Sequence, residues 1–209
     1  MKLYGYWRSS CSWRVRIALN LKKLEYTYVP VHLVKHGGEQ HASGYLERNP
    51  QAQVPTLELA SGVSLTQSIA IVEFLEEIKP SPSLFPTDRL ERAKVRQMAE
   101  IVNSGIQPLQ NLSVLQHIDR LKLDKIKWGR AYIQKGLTAL NKLVANSSDP
   151  FLVGAAPSVA DLCLIPQLYN ARRFKCDLDL FPKLLEVEQH CARLEAFINA
   201  HPDNQPDAQ

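Results

Sequence analysis

The chain has 209 residues, 45% of them apolar and 22% charged, ordinary proportions for a globular protein with room for one large core or two small ones. A formal charge of +4 and an isoelectric point near 8.9 make the surface mildly basic, which suits anionic small molecules, but cations interleave with acids, as in Glu91-Arg92-Ala93-Lys94, and exclude a nucleic-acid-binding stripe. No run approaches about 18 apolar residues, which excludes a transmembrane helix, and four cysteines with no Cys-x-x-Cys spacing and no preceding leader read as reduced thiols of a cytosolic protein without zinc or dithiol chemistry.

Leu3-Tyr4-Gly5-Tyr6-Trp7 is rich in strand formers, and the stretch from Ser9 to Leu19 puts Val15, Ala18 and Leu19 on one helical face, so a strand, a turn and a helix follow in that order. Ser9 and Ser10 are good N-cap residues. The free N–H groups and the positive dipole end at that helix start favour an anion, so the stretch is either a plain capped helix with a half-buried Cys11 or a thiolate or carboxylate site beside Arg8. Tyr26-Thr27-Tyr28-Val29-Pro30-Val31 predicts a second strand, parallel to the first through a βαβ crossover. His32 to Gly44 contains Gly37-Gly38 and predicts a loop with at most a short helix; His32, His36 and His41 do not make up the ligand set a metal needs, and no metal site is expected. Val54 to Leu59, Ser61-Gly62 and Val63 to Leu65 predict a β-hairpin with Pro55 at the head of a strand. Gln67-Ser68 opens a helix with Ile71, Leu75 and Ile78 at helical spacing. Ser68 either caps that helix or joins Gln67 in receiving a carboxylate there.

Pro80, Pro82 and Pro86 stop the helix and Asp88 is placed to cap the next, which sets the division: residues 1–80, a linker at 81–88, and a helical part at 89–209. In the helical part Val95, Met98, Ala99, Val102 and Ile106 form one apolar stripe, and Ile133, Leu137, Leu140 and Val144 another. Gly105-Ile106-Gln107-Pro108 predicts a kink or break that turns Gln107 and Asn111 sideways, toward solvent or toward a ligand. Ser158 with Asp161 three residues on reads as a capping box ahead of inward-facing Leu164, Ile165 and Leu168. Arg172 and Arg173 lie at the end of that helix, where the dipole alone favours cations. A last helix from Pro182 to about Asn199 and a polar tail from His201 complete the chain.

Ser9-Ser10-Cys11-x-Trp13-Arg14-Val15-Arg16-Ile17-Ala18-Leu19 resembles the signature of the zeta-class glutathione transferases, with one free slot in eleven positions. The resemblance continues in Asn49-Pro50, Gln53-Val54-Pro55-Thr56-Leu57, Gln67-Ser68, Gly105 to Ser113, Ala160-Asp161-Leu162-Cys163-Leu164 and Gln205-Pro206-Asp207. It implies a thioredoxin-like N-terminal domain of order βαβ-ββα followed by an all-helical C-terminal domain, the glutathione transferase fold, with glutathione as cofactor and a homodimer as the assembly.

By that resemblance, Ser9, Ser10, Cys11, Gln40, Val54, Gln67 and Ser68 hold glutathione, with Val54 offering its backbone beside a cis Pro55. Ser9 or Ser10 donates to the thiolate and Cys11 modulates the site. Lowering a free thiol by about two pKa units takes ~2.7 kcal/mol, within reach of a hydroxyl and a helix N-terminus together. Gln107, Asn111 and Ser113 face the cleft, and Arg8 and Arg173 hold a small dianionic substrate. The implied reaction is glutathione-dependent cis–trans isomerisation of maleylacetoacetate to fumarylacetoacetate, a step in aromatic amino acid catabolism. Isomerisation of maleylpyruvate, dehalogenation of small α-halo acids and a non-catalytic transferase-like module remain the alternatives.

Overall fold

The computed structural model describes residues 1–209, which divide by their contacts into one unit of Met1–Leu84 with Leu194–Gln209 and a second of Phe85–Arg193. In the first unit, β1 (Lys2–Gly5), α1 (Ser10–Leu21) and β2 (Thr27–Pro30) form the parallel βαβ pair, with Leu3 opposite Tyr28. Single turns of 3-10 helix at Lys35–Gly37 and Glu39–His41 and the one-turn α2 (Ser43–Leu46) lead to the hairpin of β3 (Thr56–Glu58) and β4 (Ser64–Thr66). β3 runs antiparallel to both β1 and β4, the sheet order is β2-β1-β3-β4, and α3 (Ser68–Ile78) follows. The expected βαβ-ββα order is the observed one.

Two predicted faces differ from the structure. α1 is buried nearly all round: Trp13, Val15, Ile17, Ala18 and Leu19 are joined by Arg14 and Arg16, both completely buried. In α3, Ile71 and Leu75 are fully buried but Ile78, in the last turn, is half exposed. The linker is anchored to the first unit by Lys22. Its fully buried ammonium lies 2.7 Å from Glu76 and donates to the carbonyls of Lys79 at 2.6 Å and Pro82 at 3.0 Å. Burial pushes the Glu76 carboxyl up, but Lys22, the Ser83 hydroxyl and the Leu84 N–H outweigh it and hold Glu76 below the usual carboxylate range.

The second unit is helical: α4 (Arg89–Asn103), α5 (Leu112–Arg120), α6 (Lys125–Val144), α7 (Val159–Arg173) and α8 (Pro182–Cys191). Asp88 caps α4 through the N–H groups of Leu90 and Glu91, and α4 packs on α7. Both predicted stripes are buried. α4 breaks rather than kinks: it ends at Asn103, and a 3-10 turn, Gln107–Gln110, begins with Pro108 in its first positions, where a missing N–H costs nothing. α7 runs buried for almost its whole length, with Pro166 inside it. Asp161 holds its start by accepting from the Ser158 N–H at 2.8 Å, the Ser158 hydroxyl at 2.9 Å and the Leu152 N–H at 2.9 Å. Complete burial lifts the Asp161 carboxyl to about 6 against the pull of those three donors.

The end of the chain departs most from expectation. The last helix is two, α8 and α9 (Glu195–Ala200), and residues 194–209, counted by sequence with the helical part, pack instead with the first unit. The reason is the buried cation of α1: Arg16 needs acceptors, and Ala200 at the end of α9 supplies one at 3.1 Å. Asn20 donates to the Ala196 carbonyl at 3.1 Å, and the His201 ring stands edge-on to Trp13 at 5.1 Å. The expected polar tail is therefore ordered, with Pro202 and Gln205 buried.

Candidate functional site

The amino end of α1 is built around Ser9. Ser9 is the N-cap, its hydroxyl oxygen accepting from the Ser12 N–H at 3.2 Å while its own N–H donates to the Tyr6 carbonyl at 2.9 Å. The capping bond uses a lone pair, which leaves the Ser9 hydroxyl proton available to a ligand. Ser10 is buried, whereas Cys11, in the first turn, is half exposed. The guanidinium of Arg8 stacks 5.2 Å above the Trp7 ring. None of the four cysteines is joined in a disulfide; Cys163, Cys176 and Cys191 are buried, and burial pushes the thiols of the last two up.

A second set of groups gathers before α3. The Val54-Pro55 bond is cis, and the preceding Gln53 carbonyl is pinned by the Tyr45 hydroxyl at 2.5 Å and the Asn49 amide at 2.7 Å. The backbone N–H and C=O of Val54 take no part in the hydrogen bonds of the chain. Gln67 enters α3 in the left-handed region, at φ 67°, a conformation costing about 1–3 kcal/mol in a non-glycine residue. Its amide reaches the Gln51 side chain at 2.7 Å. Ser68 does not cap the helix, because it is the first helical residue and the cap position falls on Gln67; its oxygen instead accepts from Arg14 Nη1 at 3.2 Å.

Gln40 is buried, its amide nitrogen 3.2 Å from His41 Nε2 and 3.4 Å from the Leu33 carbonyl, while Oε1 has no partner. A Cβ on Gly38, at φ 99°, would stand 2.5 Å from that amide, so the Gln40 position and the glycine are linked. In the second unit, Asn111 caps α5 through the Ser113 N–H at 3.3 Å and Gln107 is half exposed at the head of the 3-10 turn. Exposed Arg173 donates to the Asn170 side-chain Oδ1 at 3.1 Å, whereas Arg172 is committed to Glu188 by a paired contact at 2.5 and 2.6 Å. No group of three or more His, Cys, Asp or Glu side chains is placed to hold a metal ion, and no helix is long and apolar enough to cross a membrane.

Two domain families match the chain: the glutathione S-transferase N-terminal domain over residues 8–78 and the glutathione S-transferase C-terminal domain over residues 116–201. The chain belongs to the glutathione S-transferase family. Among curated relatives, the maleylacetoacetate isomerase of Dictyostelium discoideum is 48% identical, with 99% of this chain and 95% of that protein covered. The maleylacetoacetate isomerase of Mus musculus is 45% identical over 98% of this chain and 94% of its own. Among solved structures, a holo maleylpyruvate isomerase described as a bacterial zeta-class transferase has a TM-score of 0.95 at 39% identity, covering both chains completely. The maleylacetoacetate isomerase of Anaeromyxobacter dehalogenans, with glutathione in its active site, has a TM-score of 0.89 at 48% identity, covering 100% of this chain and 97% of that one.

For a glutathione S-transferase, sequence reasoning missed the buried charges behind the site. Arg14 and Arg16 alternate with Trp13, Val15 and Ile17 in a helix buried nearly all round, and two cations set among apolar neighbours are the signal that points to them. It also missed the reciprocal amide pair of Gln110 and Gln167, 2.6 Å apart in the buried part of the second unit.

Proposed function

We propose that the chain is a glutathione-dependent cis–trans isomerase that converts maleylacetoacetate to fumarylacetoacetate. The observation that carries this reading is the match, near-complete in length at 45–48% identity, to maleylacetoacetate isomerases, together with a first unit whose donors suit glutathione. Unpaired Val54 backbone groups fit the cysteinyl backbone of the tripeptide. The Ser68 hydroxyl and the start of α3, with Arg14 behind them, fit its γ-glutamyl carboxylate. Glutathione held there would supply a thiolate able to add reversibly to an activated alkene, leaving a single bond free to rotate until the thiolate departs.

The residues of the chain then divide the work. The Ser9 hydroxyl, with Ser10 and Cys11 in the same turn, stabilises the sulfur anion at the α1 start, where N–H groups and the dipole already favour negative charge. Arg8 and Arg173 carry the substrate carboxylates and the charge that develops on the conjugated ketone. Gln40, Gln67, Gln107 and Asn111 complete the ligand contacts of this reading. A homodimer in the cytosol, serving aromatic amino acid breakdown, belongs to the same reading and is supported by family membership.

The second reading, maleylpyruvate isomerisation, is favoured by the 0.95 TM-score to a structure of that name. Steady-state rates with both diacids, with and without glutathione, separate them. A higher kcat/KM for maleylpyruvate overturns the first reading, and turnover independent of glutathione overturns both.

A further inference from the structure

Trp7, two residues before Ser9, has both of its peptide groups held by side chains. Its N–H donates to Asp207 Oδ2 at 3.0 Å, and its carbonyl accepts from Arg16 Nη2 at 2.8 Å. The turn that delivers Arg8 and Ser9 is thus gripped from α1 and from a residue 200 positions further along the chain. Asp207 Oδ2 also accepts from the Tyr28 hydroxyl at 3.3 Å, and burial pushes that phenol up, so it stays a donor. The other oxygen, Oδ1, is buried with no hydrogen-bond partner.

We infer that Asp207 is a positioning residue for the Trp7-Arg8-Ser9 turn: by fixing the Trp7 N–H it sets where the Ser9 hydroxyl stands. The inference rests on the glutathione reading above. Ser9 follows Trp7 by two residues and its N–H is tied to Tyr6, so a shift of the Trp7 peptide is passed directly to the N-cap. Misplacing a catalytic donor by about 1 Å is enough to cost on the order of 100-fold in rate.

The test compares full-length wild type with Asp207→Ala and Asp207→Asn. It reads the glutathione Kd by calorimetry, kcat and KM for maleylacetoacetate, and the ultraviolet absorbance of the bound thiolate. Asp207→Ala is expected to lower kcat by roughly 10- to 100-fold and to weaken the thiolate signal, with Kd changed by no more than about threefold. Asp207→Asn keeps an acceptor for the Trp7 N–H and is expected to recover most of the rate. An unchanged kcat in Asp207→Ala, or equal loss of kcat and affinity that Asp207→Asn does not restore, overturns the inference. If the alanine variant does not fold, Asp207→Ser, whose hydroxyl is too short to span Trp7 and Tyr28, carries the same comparison. Wild type that binds no glutathione sinks the glutathione reading and this inference together, whereas active wild type beside an unaffected Asp207→Ala sinks the inference alone.

Discussion

Arg14 Nη1 donates to the Ser68 hydroxyl oxygen at 3.2 Å, joining the buried middle of α1 to the first residue of α3. Because that oxygen accepts from a guanidinium, the Ser68 proton is left to donate elsewhere, alongside the free N–H groups of the α3 start. Ser68→Ala is expected to weaken glutathione binding about tenfold, ~1.4 kcal/mol, while Ser68→Thr retains most of the affinity. Calorimetric titration of the three proteins checks this, and equal affinity throughout removes Ser68 from the carboxylate site.

Ser9 has a capping role and a proposed chemical one, and two substitutions separate them. Ser9→Ala loses the bond from the Ser12 N–H and is expected to lower stability by about 0.5–2 kcal/mol, whereas glycine at an N-cap costs only a few tenths. Both lose the hydroxyl, so both are expected to lower kcat more than they weaken glutathione binding. If Ser9→Gly keeps full turnover, the hydroxyl donor is Ser10 or the thiol of Cys11.

Arg173 is exposed and bonded to Asn170 on its own helix, so Arg173→Ala is expected to move stability by less than about 0.5 kcal/mol. The same variant is expected to raise KM for the diacid and leave the glutathione Kd nearly intact. Parallel loss of both would mean that the residue serves the fold rather than the substrate.

Asp161 gives a pH signature of opposite sign to the usual carboxylate. Its folded value of about 6 stands above an unfolded value of about 3.9, so the native state binds the extra proton between them. Its contribution is complete below about pH 4 and is lost as pH rises through about 6, a decline on the order of 3 kcal/mol. Urea melts of wild type and Asp161→Asn at pH 4, 5, 6 and 7 measure it: the stability of wild type relative to the variant is expected to fall across that range. A relative stability that rises with pH would show the carboxylate is ionised in its three-donor cradle.

The elements that local pattern controls were legible in the sequence. Strand formers, Asp88, the Ser158 and Asp161 box and the two apolar stripes all act over a few residues, and each appears where expected. What pattern did not reveal depends on partners distant in the chain. Arg16 is buried because Ala200 and Trp7 offer carbonyls, and Ser68 accepts from a cation 54 residues earlier instead of capping its own helix. Likewise the polar residues from His201 onward read as a solvated tail, since nothing local announces that Asp207 meets Trp7. Pro166 lies inside buried α7, where local preference alone would end a helix.

The first unit is interrupted: residues 194–209 belong to it, while 85–193 form an unbroken stretch of their own. On the ribosome, the helical half is therefore fully translated before the sheet-bearing half has all its pieces, and Arg16 waits for the Ala200 carbonyl until that whole intervening stretch has been made. A nascent chain stalled between the two stretches holds every residue of the Ser9 turn yet lacks the Asp207 carboxylate that accepts from the Trp7 N–H.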